Sequence, residues 1–454
     1  MMRDSPHSSS SSSSAMHAYF MSLANEIEHR LNGHEIALTS FSSEQSDFIR
    51  FNEGKVRQTG HVSQASLTLR LIDGQRQAYA TLTPCGDMRA DTHAVARAIA
   101  ALRDGLRDAS DDPHLLFDTA VWSESTQRAG TLPSPDALPL LVAHYARGLD
   151  FVGFYAGGAI SRGFASSLGS RGWYEVDNFN FSWSLYDASG RAIRSHYAGD
   201  TWSDAVFAGK VKQAAARLPF LAGEPRVLTP GRYRTYLAPA AMQELMEAVS
   251  PGAFSARSQA TARSEFYRLN IGEVSLDPRV ALTEDLSLDI TPRFNGDGYR
   301  RESVPLIEAG RAVHQLTSAR TAREYGLVPN GATSAESPAA LSMQGGDLAS
   351  GDVLGALDTG LYVGNLWYVN FSDRMNCRMT GMTRFATFWV ERGRIVAPVA
   401  AMRFDDSLYR MLGSELEQID AQPELQLNDW TWGERATGGM KLPGVLVRSF
   451  DLTL

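Results

Sequence analysis

The feature that most constrains the fold is a series of short alternating segments near the N-terminus. Apolar and polar residues alternate in five segments, at 36–41, 47–52, 55–62, 65–72 and 76–83. Alternation with period two is typical of strands that bury one face. Asn52-Glu53-Gly54 and Asp73-Gly74 separate neighbouring segments, as tight hairpin turns do. The sequence therefore predicts an antiparallel meander, flanked by helices at 18–31 and 92–106.

A second β region follows at 151–198, after a loop-like stretch at 117–135 and a helix at 139–149. Within it, Phe179, Phe181, Trp183 and Leu185 recur at every second position. Such aromatics could form a platform for a ligand, but at this spacing they more often form the buried face of a sheet. We therefore predict that they belong to the core.

The C-terminal half repeats this pattern of short strands between turns, with a helix predicted at 406–418 and a last strand at 445–454. The fold class predicted is α+β, with two domains of antiparallel sheets and flanking helices. The predicted boundaries are 1–17 for a disordered serine-rich lead, 18–225 for an N-terminal α+β domain and 226–454 for a C-terminal β-rich domain. Met16 is an alternative start to Met1.

Composition narrows the class of protein. The chain has 454 residues, 43% of them hydrophobic and 21% charged, and a net charge of −8. An acidic chain without a basic stripe is not expected to bind nucleic acid. No apolar run reaches the roughly 18 residues of a membrane span. Only Cys85 and Cys377 occur, which argues against a disulfide framework and favours the cytoplasm.

The central stretch at 231–254 resembles the approach to a metal site. Tyr233, Thr235 and Leu237 alternate as in a strand, and Pro239 is suited to the first position of a helix. Apolar residues then recur at three and four positions as far as Val249, and Ser250-Pro251-Gly252 is expected to end the helix. Glu247 projects from this helix with no histidine beside it.

No complete catalytic motif is present elsewhere. His29 and His34 come closest to a zinc pair, but Gly33 interrupts the helix between them. Serine-nucleophile elbows, phosphate loops and dinucleotide-binding glycine motifs are all missing. Cys377 lies between Arg374 and Arg378, which could activate its thiol, although an ordinary surface loop is the simpler interpretation.

An acidic series in the C-terminal half leaves a further possibility open. It could hold a cation, but without regular spacing its members are more consistent with solvated turns and strand edges. The series consists of Asp285, Asp289, Asp297, Glu302 and Glu308.

Several stretches together resemble the TldD/TldE (PmbA) family of zinc peptidases. They are FIRFNEGKVRQTGHVSQASLTLRLIDGQRQAYATLT, LIEAGRAVHQLTSARTAREYGLVPNG, the long segment from GLYVGNLWYVNFSD to FDDSLYRML, and GGMKLPGVLVRSFDLTL. The resemblance covers most of the chain from about residue 35, and it depends on order and spacing more than on any single motif. It implies a TldD/TldE-like fold.

The resemblance also implies what the central helix lacks. In TldD-type chains the segment matching LMEAVSPG reads L-H-E-A-V-G-H-G and carries the zinc-binding H-E-x-x-x-H. Here Met246 and Pro251 replace both histidines, Glu247 alone remains, and no cysteine follows Cys377 to complete a zinc site. A lone glutamate cannot hold zinc, and a thioether is a poor ligand for it. The chain therefore resembles TldE, the zinc-less subunit, with no catalytic or metal-binding residues of its own.

The function implied by this resemblance is that of a non-catalytic subunit in a metallopeptidase complex. A TldD-like partner would supply the zinc in a heterodimer or larger assembly, and the substrate would be an extended, unfolded peptide. We expect the peptide to add to a sheet edge at Gly364, Trp367, Arg374 and Thr380, although Trp367 and Tyr368 could equally be packing residues. Two alternatives remain: a stand-alone peptide-binding or scaffold protein, and an enzyme that uses Glu247 with the acids around Asp297.

Overall fold

The alternating N-terminal segments form one continuous sheet in the computed structural model, which describes residues 9–453. Its strands are β1 (Ile36–Asn52), β2 (Lys55–Asp73), β3 (Arg76–Leu82), β4 (Ser123–Arg128), β5 (Asp150–Ser166), β6 (Arg171–Tyr186) and β7 (Ala192–Gly199). They are ordered β3-β2-β1-β5-β6-β4, with β7 also paired to β6. All pairs are antiparallel except β4 with β6, so the predicted meander is confirmed as its first part.

The strands of this sheet are longer than predicted. Segments 36–41 and 47–52 belong to one strand of 17 residues, and 55–62 and 65–72 belong to one of 19. The polar residues between them interrupt the side-chain pattern, but their backbone groups continue the ladder, with Ser43 opposite Ala65. Strand β4 lies in the stretch predicted as a loop, because its polar sequence SESTQR carries no apolar alternation.

The aromatic row of β6 is buried, as predicted. Phe179, Phe181 and Leu185 have no exposed surface and Trp183 has 2%. They pack under the helices Ala137–Tyr145 and Asp204–Leu221, together with Phe207 from the second of these. The helices are α1 (Ser9–Glu28), α2 (Met88–Asp108), α3 (Ala137–Tyr145), α4 (Asp204–Leu221), α5 (Pro239–Ala253), α6 (Ala256–Ala260), α7 (Tyr267–Asn270), α8 (Ala319–Tyr325) and α9 (Val353–Leu357).

The remaining strands form two further sheets. These strands are β8 (Gly231–Leu237), β9 (Leu282–Glu284), β10 (Val304–Glu308), β11 (Arg311–Ala312), β12 (Ala340–Met343), β13 (Gly360–Asp373), β14 (Arg378–Glu391), β15 (Arg394–Pro398), β16 (Arg403–Ser407), β17 (Leu416–Ile419), β18 (Glu424–Leu427), β19 (Gly439–Leu442) and β20 (Val445–Leu452). One sheet has the order β11-β10-β9-β12-β19-β18, and the other β13-β8-β20-β16-β14-β15. Because β13 also pairs with β14, the second of these closes into a small barrel. The α+β class with antiparallel sheets is confirmed.

The prediction of a helix at 406–418 is wrong. The chain instead continues β16, makes a single π turn at Arg410–Ser414 and enters β17. Leu408, Met411 and Leu412 are buried at spacings of three and four, which produced the helix-like pattern. The tertiary pairing of β16 with β14 and of β17 with β20 overrides that local signal.

The start of helix α1 also differs from the prediction. Helix α1 begins at Ser9, so 9–17 of the predicted disordered lead is helical, and residues 1–8 lie outside the described part of the chain. Extending a helix costs far less than nucleating one, so the helical turns that are packed from Phe20 onward can propagate into the serines.

Among residues 9–453, no helix combines the length and the apolar character needed to cross a membrane.

Candidate functional site

A polar cavity of about 270 Å³ lies between the first sheet and helix α5. Strands β6 and β7 form one wall, and α5 with the end of β18 and Asp429 after it forms the other. The two walls are joined by the Asn180 amide, which donates to the carbonyl of Leu427 at 3.0 Å. The lining residues are Asn180, Ser182, Arg194, Ser195, His196, Ala240, Gln243, Glu244, Glu247, Asn365, Gln426, Leu427 and Asp429.

Helix α5 presents one face to this cavity and the other to the core. Ala240, Gln243, Glu244 and Glu247 line the cavity at the three- and four-residue spacing of one helix face. Met242, Leu245, Met246 and Val249, on the other side, have no exposed surface. The helix does not end at Val249 as predicted but runs through Pro251 to Ala253. Burial of Ala253 and Phe254 stabilises this last turn, although Pro251 provides no N–H for it.

Glu247 has an unusual ionisation equilibrium. The carboxylate is accessible from the cavity, yet the protein around it removes enough water to raise its pKa to about 7. Glu244 and Asp429 raise it further, whereas Arg194 and a hydrogen bond from the Gln243 amide, at 2.5 Å, lower it. Glu247 therefore exchanges a proton near neutral pH, a property shared by many functional carboxylates.

A second cavity of about 390 Å³ continues from the first and shares Arg194, His196 and Asn365 with it. The Nε2 atom of His196 is buried and lies 3.6 Å from Glu424 Oε1. Burial lowers the pKa of this imidazole, which favours its neutral form. Burial alone would raise the pKa of Glu424, but His196 and an ion pair with Lys210 lower it overall.

Asp420 closes the far side of the second cavity. Its Oδ2 accepts a hydrogen bond from the Tyr236 hydroxyl at 2.5 Å and another from the backbone N–H of Gly444 at 3.2 Å. Burial raises the pKa of Asp420, and it raises that of Tyr236 well above its usual value. The pair therefore holds its proton between two buried oxygens and acts as a structural contact between β8 and the segment before β18.

The residues at the zinc-motif positions do not fit a zinc ion. Met246 has no exposed surface and packs in the core, while Pro251 is exposed and has no donor atom. Glu247, on the cavity face, is the single oxygen donor of the three. In the part of the chain that the structure describes, no three His, Cys, Asp or Glu side chains lie close enough to hold a metal ion.

The four predicted peptide-binding residues do not form one cluster. Gly364 lines the second cavity, and Trp367 is 43% exposed on the same strand with Arg384 4.3 Å from its ring centroid. Arg374, at the hairpin tip, is paired with the buried Glu265. The Thr380 hydroxyl donates to the Phe404 carbonyl at 2.8 Å and accepts from Arg403. Gly364 and Trp367 are thus available to a ligand, whereas Arg374 and Thr380 already have protein partners.

Cys377 lies in the hairpin turn between β13 and β14, but its side chain points into the core and its thiol is not activated. Its side chain is fully buried, and burial, with Glu265 nearby, raises the pKa of the thiol despite the adjacent arginines. A reactive thiolate at this position is therefore not supported by the structure.

The acidic series does not form a cluster either. Asp297 pairs with Arg70 at 2.6 Å, Asp289 pairs with Arg293 at 2.8 Å, and Asp285 caps a short turn by accepting from the N–H of Ser287. These carboxylates stabilise separate contacts. His34 likewise pairs with Asp73 at 2.8 Å and not with His29.

Sequence reasoning identified Glu247 but missed the residues that surround it. Asn180, Arg194, His196 and Asp429 come from segments far from α5 in the chain. Their only sequence signal is that Asn180 and Ser182 occupy the polar positions between the buried aromatics of β6. That pattern shows which residues share a face, but not what lies opposite.

The comparisons with known proteins agree with the family resemblance. Residues 230–454 match the family described as the PmbA/TldA metallopeptidase C-terminal domain. TldE from Thermococcus kodakarensis has a similar structure, with a TM-score of 0.77, 15% identity and coverage of 96% of this chain and 100% of that one. No protein of curated function matches the sequence significantly.

Two proposed modulators of DNA gyrase have the same fold. The protein from Thermotoga maritima has a TM-score of 0.74 and 14% identity, over 96% of this chain and 100% of its own. The protein from Bacteroides thetaiotaomicron has a TM-score of 0.72 and 15% identity, over 96% and 98%. Through its C-terminal half, from residue 230 onward, the chain belongs to the PmbA/TldA metallopeptidase family.

Proposed function

We propose that this chain is a TldE-type, non-catalytic subunit that binds extended peptides beside α5, while a TldD-like partner supplies zinc and cleaves them. The observation that carries the proposal is the geometry of α5. Glu247 lines the cavity between the first sheet and α5, but Met246 is in the core and Pro251 is outside the cavity. The helix can therefore form the wall of a binding site without forming a zinc centre.

An unpaired sheet edge supports binding of an extended peptide. Strand β13 pairs with β14 as far as Asp373, but with β8 only from Leu361 to Val363. Beyond Gly364, the other edge of β13 has no partner strand within residues 9–453. A peptide that adds here would gain backbone hydrogen bonds without needing a particular sequence. Gly364 and Asn365 line the second cavity, so this edge leads into the polar site.

The decisive experiment compares the purified chain alone with the chain plus a TldD-like partner in a peptidase assay. We expect cleavage only in the pair, with loss on zinc chelation. Efficient cleavage by the single chain would contradict the proposal. The variant E247Q should leave kcat of the pair unchanged, because no cleavage step is assigned to this residue. Loss of kcat would instead favour an active site built on Glu247.

The second candidate is a stand-alone peptide-binding or scaffold protein that forms a homodimer. Size-exclusion chromatography with and without the partner separates the two candidates, since a TldE-type subunit should elute as a complex with that partner.

The compartment we propose is the reducing cytoplasm, which suits the two free cysteines, Cys85 and Cys377.

A further inference from the structure

The open face of the first sheet carries a groove of about 370 Å³ that leads into the cavity beside α5. Strands β1, β2, β5, β6 and β7 all contribute to it. The groove and the cavity share Ser182 and Arg194, so a single ligand can extend from one into the other. The charged side chains that line the groove are Arg50, Arg57 and Arg194.

Strand register explains why these residues share one face. Arg50 of β1 lies opposite Phe154 of β5, which lies opposite Ser182 of β6, which lies opposite His196 of β7. Directly paired residues project to the same side of a sheet. Two residues further along, Val152, Ser184 and Arg194 form a second row on that side. The groove therefore runs across the strands and ends at the cavity residue His196.

The charge of the groove is opposite to that of the chain. No carboxylate lines it, although the chain has a net charge of −8. Arg50 and Arg57 form no ion pair with any residue between 15 and 453. Arg194 lies 3.9 Å from Glu244 and also lowers the pKa of Glu247, so it is shared between the groove and the acidic cavity. The guanidinium of Arg50 lies 5.3 Å from the Phe154 ring centroid, which holds this cation over the groove. Arg50 and Arg57 thus face a concave surface without a carboxylate partner, and Arg194 joins that surface to the cavity.

We propose that this groove binds an acidic stretch of the extended peptide whose adjacent residues occupy the cavity beside Glu247. The inference rests on the proposed peptide-binding function and adds a substrate class to it. Guanidinium groups bind carboxylates with two parallel hydrogen bonds, and the partly enclosed groove strengthens that attraction relative to open water. The acidic wall at Glu244, Glu247 and Asp429 disfavours further negative charge in the cavity itself. The preferred ligand is therefore acidic at one end and neutral or basic at the other.

An acidic peptide fits the groove better than a nucleic acid does. Proteins that bind single strands without sequence preference stack successive bases on aromatic side chains. Of the aromatic side chains that line the groove, Phe154 is the one on the open face; its ring stacks on that of Phe48, with centroids 6.0 Å apart, and Arg50 lies over it. Phe51 and Trp183 also border the groove, but both are buried in the sheet. The groove therefore provides charge without a free stacking surface.

The test measures binding of two matched synthetic peptides to the full chain by calorimetry. One is a Gly/Ser-based peptide with a cluster of glutamates near one end, and the other has glutamines at those positions. We expect the acidic peptide to bind about tenfold more tightly at low salt, and this advantage should shrink as salt rises. The double variant R50Q/R57Q should remove the advantage, so that both peptides bind it with the same affinity. R97Q, which changes an exposed arginine of α2 outside the groove, should have no effect.

The outcomes separate this inference from the proposed function. If both peptides bind equally well, the acidic preference is overturned and peptide binding survives. If neither binds, peptide binding by the isolated chain is overturned, and the inference with it. Tighter binding of a single-stranded oligothymidylate than of the acidic peptide would assign the groove to nucleic acid. The binding of the acidic and the glutamine peptide to the wild-type chain is enough to decide the acidic preference. The inference can therefore be overturned even if the double variant does not fold.

Discussion

The two faces of helix α5 differ in burial, charge and response to substitution, although they belong to the same 15 residues. The core face carries Met242, Leu245, Met246 and Val249, which are fully buried. The cavity face carries Gln243, Glu244 and Glu247, which contact water, and the two glutamates lie close enough to affect each other's ionisation. The difference teaches that adjacent positions of a family motif can serve opposite purposes. Met246 holds the helix in place, and Glu247 is available for chemistry or binding.

The largest expected effect comes from introducing a histidine on the core face. M246H places a polar imidazole in a fully buried apolar site and should destabilise the chain by ~2–5 kcal/mol. Urea unfolding monitored by circular dichroism measures this. The double variant M246H/P251H should still bind no stoichiometric zinc in calorimetry, because position 246 does not face the cavity. Tight zinc binding by the double variant would show that the two faces are not separate.

P251H is the matched control for that experiment. Pro251 is exposed, and a proline within a helix removes one backbone hydrogen bond. Its replacement should therefore leave the free energy of unfolding unchanged or raise it. A loss comparable to that of M246H would mean that position 251 carries packing that its exposure does not reveal.

The C-terminal end of α5 provides a smaller effect. A Cβ at Gly252 would lie 2.2 Å from Glu265 Oε2, so G252A must displace a carboxylate that is paired with Arg374. We expect a net loss of ~1 kcal/mol, since overpacking outweighs the better helix propensity of alanine. Thermal unfolding measures it. G209A in α4, where a Cβ meets nothing within 4 Å, should instead be stabilising.

Removing the Glu247 charge should have an effect of similar size that depends on pH. Its pKa of about 7 in the folded chain exceeds the unfolded value near 4.3, so the folded state keeps a proton that the unfolded state loses. Wild-type stability should therefore fall as pH rises from about 4 to about 7, relative to E247Q. Because the carboxylate remains accessible to solvent, we expect only ~1 kcal/mol in favour of E247Q at pH 8 and none at pH 4.

Urea unfolding at several pH values tests this prediction. The control is E324Q, at an exposed carboxylate of α8 outside the cavity lining, whose stability should depend on pH as that of the wild type does. If E247Q loses stability at pH 8, the charged form of Glu247 is favoured by a contact that outweighs its partial desolvation.

Local patterns in the sequence predicted much of this fold, and tertiary contacts account for what they missed. Turns after Asn52 and Asp73 and the buried row from Phe179 to Leu185 depend on nearest neighbours, so they could be recognised. The helix predicted at 406–418 failed because the burial of Leu408, Met411 and Leu412 reflects strand pairing and a π turn, not a helix face.

The site was predictable only in part for the same reason. Glu247 could be found because it stands at a family motif, and the three- and four-residue spacing of Met242, Leu245, Met246 and Val249 correctly placed Met246 on the apolar stripe. The convergence of Arg50, Ser182 and Arg194 depends on the register of four strands. Register is fixed by cross-strand packing, which a single sequence does not display.

The smallest predicted effect concerns Gln243, which couples the charges of the cavity face. Its amide donates to Glu247 Oε1 and lowers the pKa of that carboxyl, so Q243A should move the pKa further upward. As an i,i+4 contact on a helix, it should contribute only ~0.3 kcal/mol to stability. Carboxyl ¹³C NMR titration detects the shift directly. An unchanged titration midpoint would mean that burial and the neighbouring acids alone set the proton affinity of Glu247. Exclusion of water would then determine the properties of the cavity face as it does those of the core face.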